Sequence, residues 1–185
     1  MQKWIENSIL RTTKQKRWTI HGGHAIMKQL PPHLRRETDD YDLWARGPQK
    51  ASGVMHDVLE KKERGEQFSQ SKMKIGGNKS MYVYRVVDNE TGQVVADFMS
   101  HPAGNVYVVI KGVRYETLDH AKKKYKMILA NPELRQRHAK AQGDLQRIEQ
   151  FEFESKNKGA VKKSTIENLP FQFSFSKHSV SQRSW

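Results

Sequence analysis

The spacing of apolar residues changes along this chain in a set order, and that order limits the fold more than any single residue does. Apolar side chains recur at helical spacing over residues 2–16 (Trp4, Ile5, Ile9, Leu10), 22–30 (Ala25, Ile26, Leu30) and 49–64 (Val54, Met55, Val58, Leu59), which predicts three amphipathic helices. Between them, residues 17–21 and 41–45 read as short strands, stopped by Gly22-Gly23 and Gly47-Pro48, while Pro31-Pro32 breaks the second helix. From Phe68 onward the texture is that of strands, over residues 68–75, 81–87, 93–99 and 106–110 with a brief return at 113–115. Gly76-Gly77-Asn78, Asn89-Glu90-Thr91-Gly92 and Lys111-Gly112 supply the turns between them. Two further helices are predicted, one over about 117–130 and one from Pro132 to about Phe151. Helices and strands in the order α-β-α-β-α-β-β-β-β-α-α predict an α+β (mixed α/β) domain, a twisted mixed sheet flanked by helices.

That domain is expected to span residues 1–153, with a core over 17–115 and C-terminal helices over 117–151. Residues 154–185 are rich in Ser and Lys and read as a basic, flexible tail, or as one edge strand through the alternation of Phe171, Phe173 and Phe175. Without cysteine, disulfide scaffolds, thiolate zinc sites and cysteine nucleophiles are excluded. No run approaches the roughly 18 apolar residues of a membrane span, and the N-terminus has no apolar block of the signal-peptide kind. The expectation is an intracellular, cytoplasmic protein with no membrane partner. Against 20 acidic residues stand 33 Lys and Arg, a net charge of +13, which calls for a polyanionic partner bound with steep salt dependence.

Three pieces carry chemistry. His21-Gly22-Gly23-His24-Ala25 sits at a strand-to-helix junction, where glycines let backbone approach a ligand and a helix start offers unpaired N–H groups suited to phosphate. In Arg36-Glu37-Thr38-Asp39-Asp40-Tyr41-Asp42-Leu43, Asp40 and Asp42 would share one face of a strand. Like charges side by side repel, and a divalent cation held by both carboxylates and a substrate phosphate gives that pairing a reason. Asp97, inside Val94-Val95-Ala96-Asp97-Phe98-Met99, is costly to bury without a partner or a metal. Each piece also has an ordinary structural reading: a turn, an acidic strand start, an edge-strand aspartate facing water. His21 and His24 flank the glycines and form no defensible metal set with the other histidines.

Gly22-Gly23, Asp40-x-Asp42-Leu43 and Asp97 together resemble the nucleotidyltransferase superfamily that includes the β-type DNA polymerases. The wording GGHAI…LPPHLRRETDDYDL is most similar to the minimal nucleotidyltransferases of the abortive-infection, toxin kind. Lysines in HAKKKYKMIL and the pattern Arg137, Lys140, Asp144, Leu145, Arg147, Ile148 extend the likeness over residues 17–150. His24 departs from it, standing where the family has a small or hydroxyl residue.

The resemblance implies a metal-dependent transferase that moves a nucleotidyl group from an NTP, ATP among them, to a hydroxyl and releases pyrophosphate. Asp40, Asp42 and Asp97 would be the catalytic, metal-binding residues for Mg²⁺ or Mn²⁺, with Asp97 helping to deprotonate the acceptor. Gly22, Gly23, Arg36 and Thr38 would bind the nucleotide, with Lys123 and then Lys122 on its triphosphate. The acceptor would be a nucleic-acid 3′ end, RNA (tRNA-like) ahead of DNA, and an antitoxin or other protein a further partner. Transfer to a protein side chain, a non-catalytic basic nucleic-acid-binding module and a metal-dependent nuclease are the alternatives.

Overall fold

The computed structural model describes residues 1–63, 66–75, 81–104 and 106–167. In chain order they form α1 (Lys3–Lys16), β1 (Thr19–His21), α2 (Gly22–Gln29), β2 (Tyr41–Ala45), α3 (Pro48–Glu63), β3 (Phe68–Ile75) and β4 (Met81–Asp88). Then follow β5 (Val94–Ser100), β6 (Tyr107–Ile110), β7 (Val113–Glu116), α4 (Leu118–Ala130) and α5 (His138–Glu167), with 3-10 turns at Pro32–Leu34 and Pro132–Arg137. The α+β order expected from the apolar spacing is the one observed. The turn at Gly76-Gly77-Asn78, the helix stop at Gly65 and the Phe171, Phe173, Phe175 alternation lie outside the described residues.

The last helix differs from expectation at both ends. Asn131 caps a 3-10 turn through Pro132–Arg137 before α5 begins, and α5 then continues to Glu167 instead of ending near Phe151. Half of residues 152–167 are strong helix formers (Glu, Lys and Ala), and no proline follows Pro132 until Pro170, so Gly159 weakens the helix without ending it. The chain divides into two units, Met1–Phe151 and Glu152–Trp185. Among the described residues, no helix is long and apolar enough to cross a membrane.

Seven strands form one sheet in the order β3-β4-β5-β2-β1-β7-β6. β2 pairs parallel with β5 and antiparallel with β1, and β1 pairs parallel with β7. Alternation along each strand divides the sheet into two faces. Ile20, Leu43, Phe98 and Tyr115 pack with Ile5 and Ile9 of α1 and Met55 and Leu59 of α3 into one core. Each such aliphatic or aromatic side chain contributes about 1.5–3 kcal/mol when fully buried. A second core joins Ile26 of α2 and Leu30 just after it to Ala121, Tyr125 and Ile128 of α4 and Leu145 and Ile148 of α5. Strand alternation turns His21, Asp42, Trp44, Asp97 and Glu116 to the face opposite the first core.

Candidate active site

The three sequence-marked carboxylates meet on that opposite face. Asp42 and Asp97 are direct partners in the parallel β2–β5 register, and Asp40 lies one residue ahead of β2. Each of the three offers a ligand oxygen, and these oxygens all lie within 4.8 Å of one another. Burial pushes the Asp42 carboxyl up from 3.8 to about 7, helped by the charges of Asp40 and Asp97 and opposed by Lys124 and Lys140. Asp97 is also raised, mainly by burial. Arg85 of β4, opposite it in register, restrains the rise by donating from Nε and Nη2 at 3.1 and 3.3 Å. Three crowded carboxylates, one of them held against ionisation, form a donor set suited to a hard divalent cation.

The glycines build the adjoining wall. Gly22 has φ +67°, and a Cβ there would stand 2.3 Å from Asp42 Oδ2. A Cβ on Gly23 would meet Thr38 Cγ2 at 2.6 Å and the Arg36 guanidinium at 3.2 Å. Only glycine at both positions lets the start of α2 lie this close to the acidic strand and the segment before it. The Gly22 N–H is engaged, donating to Glu116 Oε2 at 2.9 Å. Gly22, Gly23, Arg36, Thr38, Asp40, Asp42 and Asp97 are thus brought into one neighbourhood.

Arg36 is held by a partner far off in sequence. Its Nε and Nη2 donate to both oxygens of the fully buried Asp144 at 2.8 and 2.7 Å, which raises its pKa further. Tyr125 donates to the same carboxylate at 3.1 Å, so α4, α5 and the segment before β2 are tied together.

The lysines sort differently from expectation. Lys123 is exposed and Lys122 half-buried. The α4 lysine on the carboxylate face is Lys124, whose Nζ donates to both oxygens of the buried Glu116 at 2.8 and 2.7 Å. His120 Nδ1 lies 2.7 Å from Glu116 Oε1. Helix phase decides this: Lys124 lies beside the buried stripe Ala121, Tyr125, Ile128, whereas Lys123 points elsewhere. That stripe was the sequence signal for Lys124; Glu116 and Arg85 carried no signal of their own.

The two flanking histidines are packing residues. His21 stacks on Trp44 at 4.4 Å between ring centroids and His24 on Tyr41 at 3.7 Å. Burial holds His21 well below its usual value and His24 at about 4. Both are neutral rings at pH 7.

Two solved structures, one from a virus and one from a bacterium, are similar to this chain. The Megavirus polyadenylate synthase matches with a TM-score of 0.62 at 18% identity, over 80% of this chain and 31% of that one. The chain has that enzyme's fold over the matched part. It spans about a third of the viral protein's length. JHP933 from Helicobacter pylori matches at a TM-score of 0.46 and 14% identity, over 77% of this chain and 62% of that one. No protein-family model matches the chain, and no curated protein does. The twisted mixed sheet flanked by helices expected from the sequence is the one observed, and over the matched part it is the fold of that polyadenylate synthase.

Proposed function

We propose that this chain transfers a nucleotidyl group from an NTP to a hydroxyl at a nucleic-acid 3′ end, RNA ahead of DNA, and releases pyrophosphate. The observation that carries the reading is the acidic triad beside a glycine-walled helix start. Asp40, Asp42 and Asp97 converge within 4.8 Å, and a Cβ on Gly22 would stand 2.3 Å from Asp42. The fold shared with a polyadenylate synthase supports it. So does the +13 charge, which favours a polyanionic acceptor over a cationic small molecule.

Asp40, Asp42 and Asp97 would hold Mg²⁺ or Mn²⁺, which neutralises triphosphate charge and acidifies the acceptor hydroxyl. The chain's own residues do the rest. Gly22 and Gly23 bring the start of α2 close enough to seat the triphosphate, with ATP among the nucleotides taken. Thr38 and Arg36 border that seat. Lys124, fixed by Glu116, and Lys140 supply positive charge beside the carboxylates, in place of Lys122 and Lys123. The acceptor oxygen attacks the α-phosphorus, the bond to the β-phosphate oxygen breaks, and the proton passes to Asp97 and on to water. Arg85 keeps Asp97 available as a carboxylate.

The likeness of Arg36-x-Thr38-x-Asp40-x-Asp42-Leu43 to minimal toxin-type enzymes extends the reading to a cytoplasmic toxin that a protein antitoxin restrains. Residues 1–153 form the transferase domain and 154–185 a basic appendage to it. The test supplies each α-labelled NTP in turn, with Mg²⁺, to wild type and Asp42→Asn in the presence of total RNA or a DNA primer–template. Label on nucleic acid from wild type alone supports the reading and names base and acceptor. Label on protein redirects it to side-chain modification. No transfer under any condition leaves a basic binding module and overturns the enzyme.

A further inference from the structure

At the end of the strands away from Asp42, the sheet opens into a cavity of about 870 Å³. It is bounded by the α1–β1 junction, the β2–α3 junction and the loop after β5. Five cations line it: Lys16, Arg17, Arg46, Lys50 and Arg114. Among the described residues no carboxylate lines it, and none of the five cations makes an ion pair. Like charges gathered from separate segments into one concavity repel one another unless an anion enters.

Arg17 holds the left-handed position after α1 at φ 55°, a place that favours glycine, and its carbonyl accepts from Arg114 Nη1 at 3.3 Å. Aromatic rings sit among the charges. Trp18 and Tyr107 line the cavity half-exposed, and the Arg114 guanidinium lies 4.5 Å over the Tyr107 ring. Trp44 forms another wall. It shares its strand face with Asp42 two residues away, about 7 Å along β2, and so joins the cavity to the carboxylate face.

We propose that this cavity holds a single-stranded nucleic acid, with phosphates on the five cations and base faces on Trp18 and Tyr107, and that the strand passes Trp44 to reach the carboxylates. Cations spread over separate segments match phosphates spaced along a strand better than one compact polyphosphate. Trp18 rests one edge on Phe98 and Tyr107 carries Arg114 over its ring, and what each half-exposed ring leaves open to the cavity stacks on unpaired bases, which a duplex hides. The inference rests on the nucleic-acid acceptor proposed above and is independent of the transfer chemistry.

Binding of a fluorescent single-stranded RNA and its DNA counterpart, about a dozen nucleotides long, is measured by anisotropy on the full chain without NTP or divalent cation. Arg46→Glu/Lys50→Glu should weaken binding at least tenfold and flatten the salt dependence by about two ions. Lys28→Glu/Lys61→Glu, matched in charge and remote from the cavity, should change affinity less than threefold. Tyr107→Ala should weaken binding while leaving the salt dependence as in wild type, a readout that does not require charge reversal to be tolerated. Equal losses in both double variants would overturn the proposal, as would a duplex competing as well as the single strand. Displacement of the strand by equimolar ATP would assign the cavity to a free nucleotide instead. Wild-type binding by Arg46→Glu/Lys50→Glu with label transfer intact would sink this site alone. Binding lost in that variant, with no transfer by wild type, would keep the site and sink the transferase.

Discussion

Replacing Asp42 by Asn should stabilise the metal-free protein, and more at pH 8 than at pH 5. Burial first, then the charge of Asp40, lifts the Asp42 carboxyl from 3.8 to about 7. A raised carboxyl is penalised only when it ionises. The penalty is absent below the unfolded-chain value, grows through the interval up to about 7, and is complete above it. At about 1.4 kcal/mol per tenfold, the whole displacement is worth on the order of 4 kcal/mol. Asp42 keeps part of its surface in water, so about 2 kcal/mol is the working figure. Asn cannot ionise, and its advantage over wild type should widen by about 1–2 kcal/mol between pH 5 and pH 8. In a folded unit of this size that is roughly 2–8 °C in Tm. Millimolar Mg²⁺ should narrow the gap at pH 8 by stabilising wild type alone, because it binds only the folded, ionised site. Thermal unfolding followed by circular dichroism, with EDTA or with Mg²⁺, reads both effects. An Asn advantage equal at the two pH values, or an Mg²⁺ effect equal in the two proteins, would refute the crowded-carboxylate reasoning.

Gly22→Ala should lose more than about 2 kcal/mol of stability and most transfer activity, since φ is positive there and the new Cβ would stand 2.3 Å from Asp42 Oδ2; urea denaturation and the labelled-NTP assay check it. Lys124→Ala should lower kcat/KM for NTP at least tenfold more than Lys123→Ala does, because Lys124 is fixed on Glu116 at 2.7–2.8 Å whereas Lys123 is exposed. Equal effects would return the triphosphate contact to the outer face of α4.

Local rules explain how much of the fold was legible. Helix and strand spans follow from apolar spacing within ten or so residues, and glycine and proline mark their ends, so α1 to β7 were readable in order. Local rules do not place the end of α5: no proline interrupts it, Gly159 does not break it, and it continues to Glu167. Ala121, Tyr125 and Ile128 mark the inward side of α4, but a run of lysines hides which one shares that phase, so the sequence favours Lys123 where the fold uses Lys124.

What the sequence determined by itself is residue chemistry at fixed local spacing: a paired Gly at a helix start, Asp40 and Asp42 two apart, and Asp97 in an apolar strand. Tertiary structure decided what meets what. Asp97 faces Asp42 only because β2 and β5 run parallel in that register. Arg36 is tied to Asp144, 108 residues on, and Glu116 gathers Gly22 and Lys124 from two helices. The basic cavity draws its cations from α1, β2–α3 and β7. Such pairings depend on chain crossing and burial, and a carboxylate's affinity for protons or cations is set by neighbours that sequence distance does not reveal.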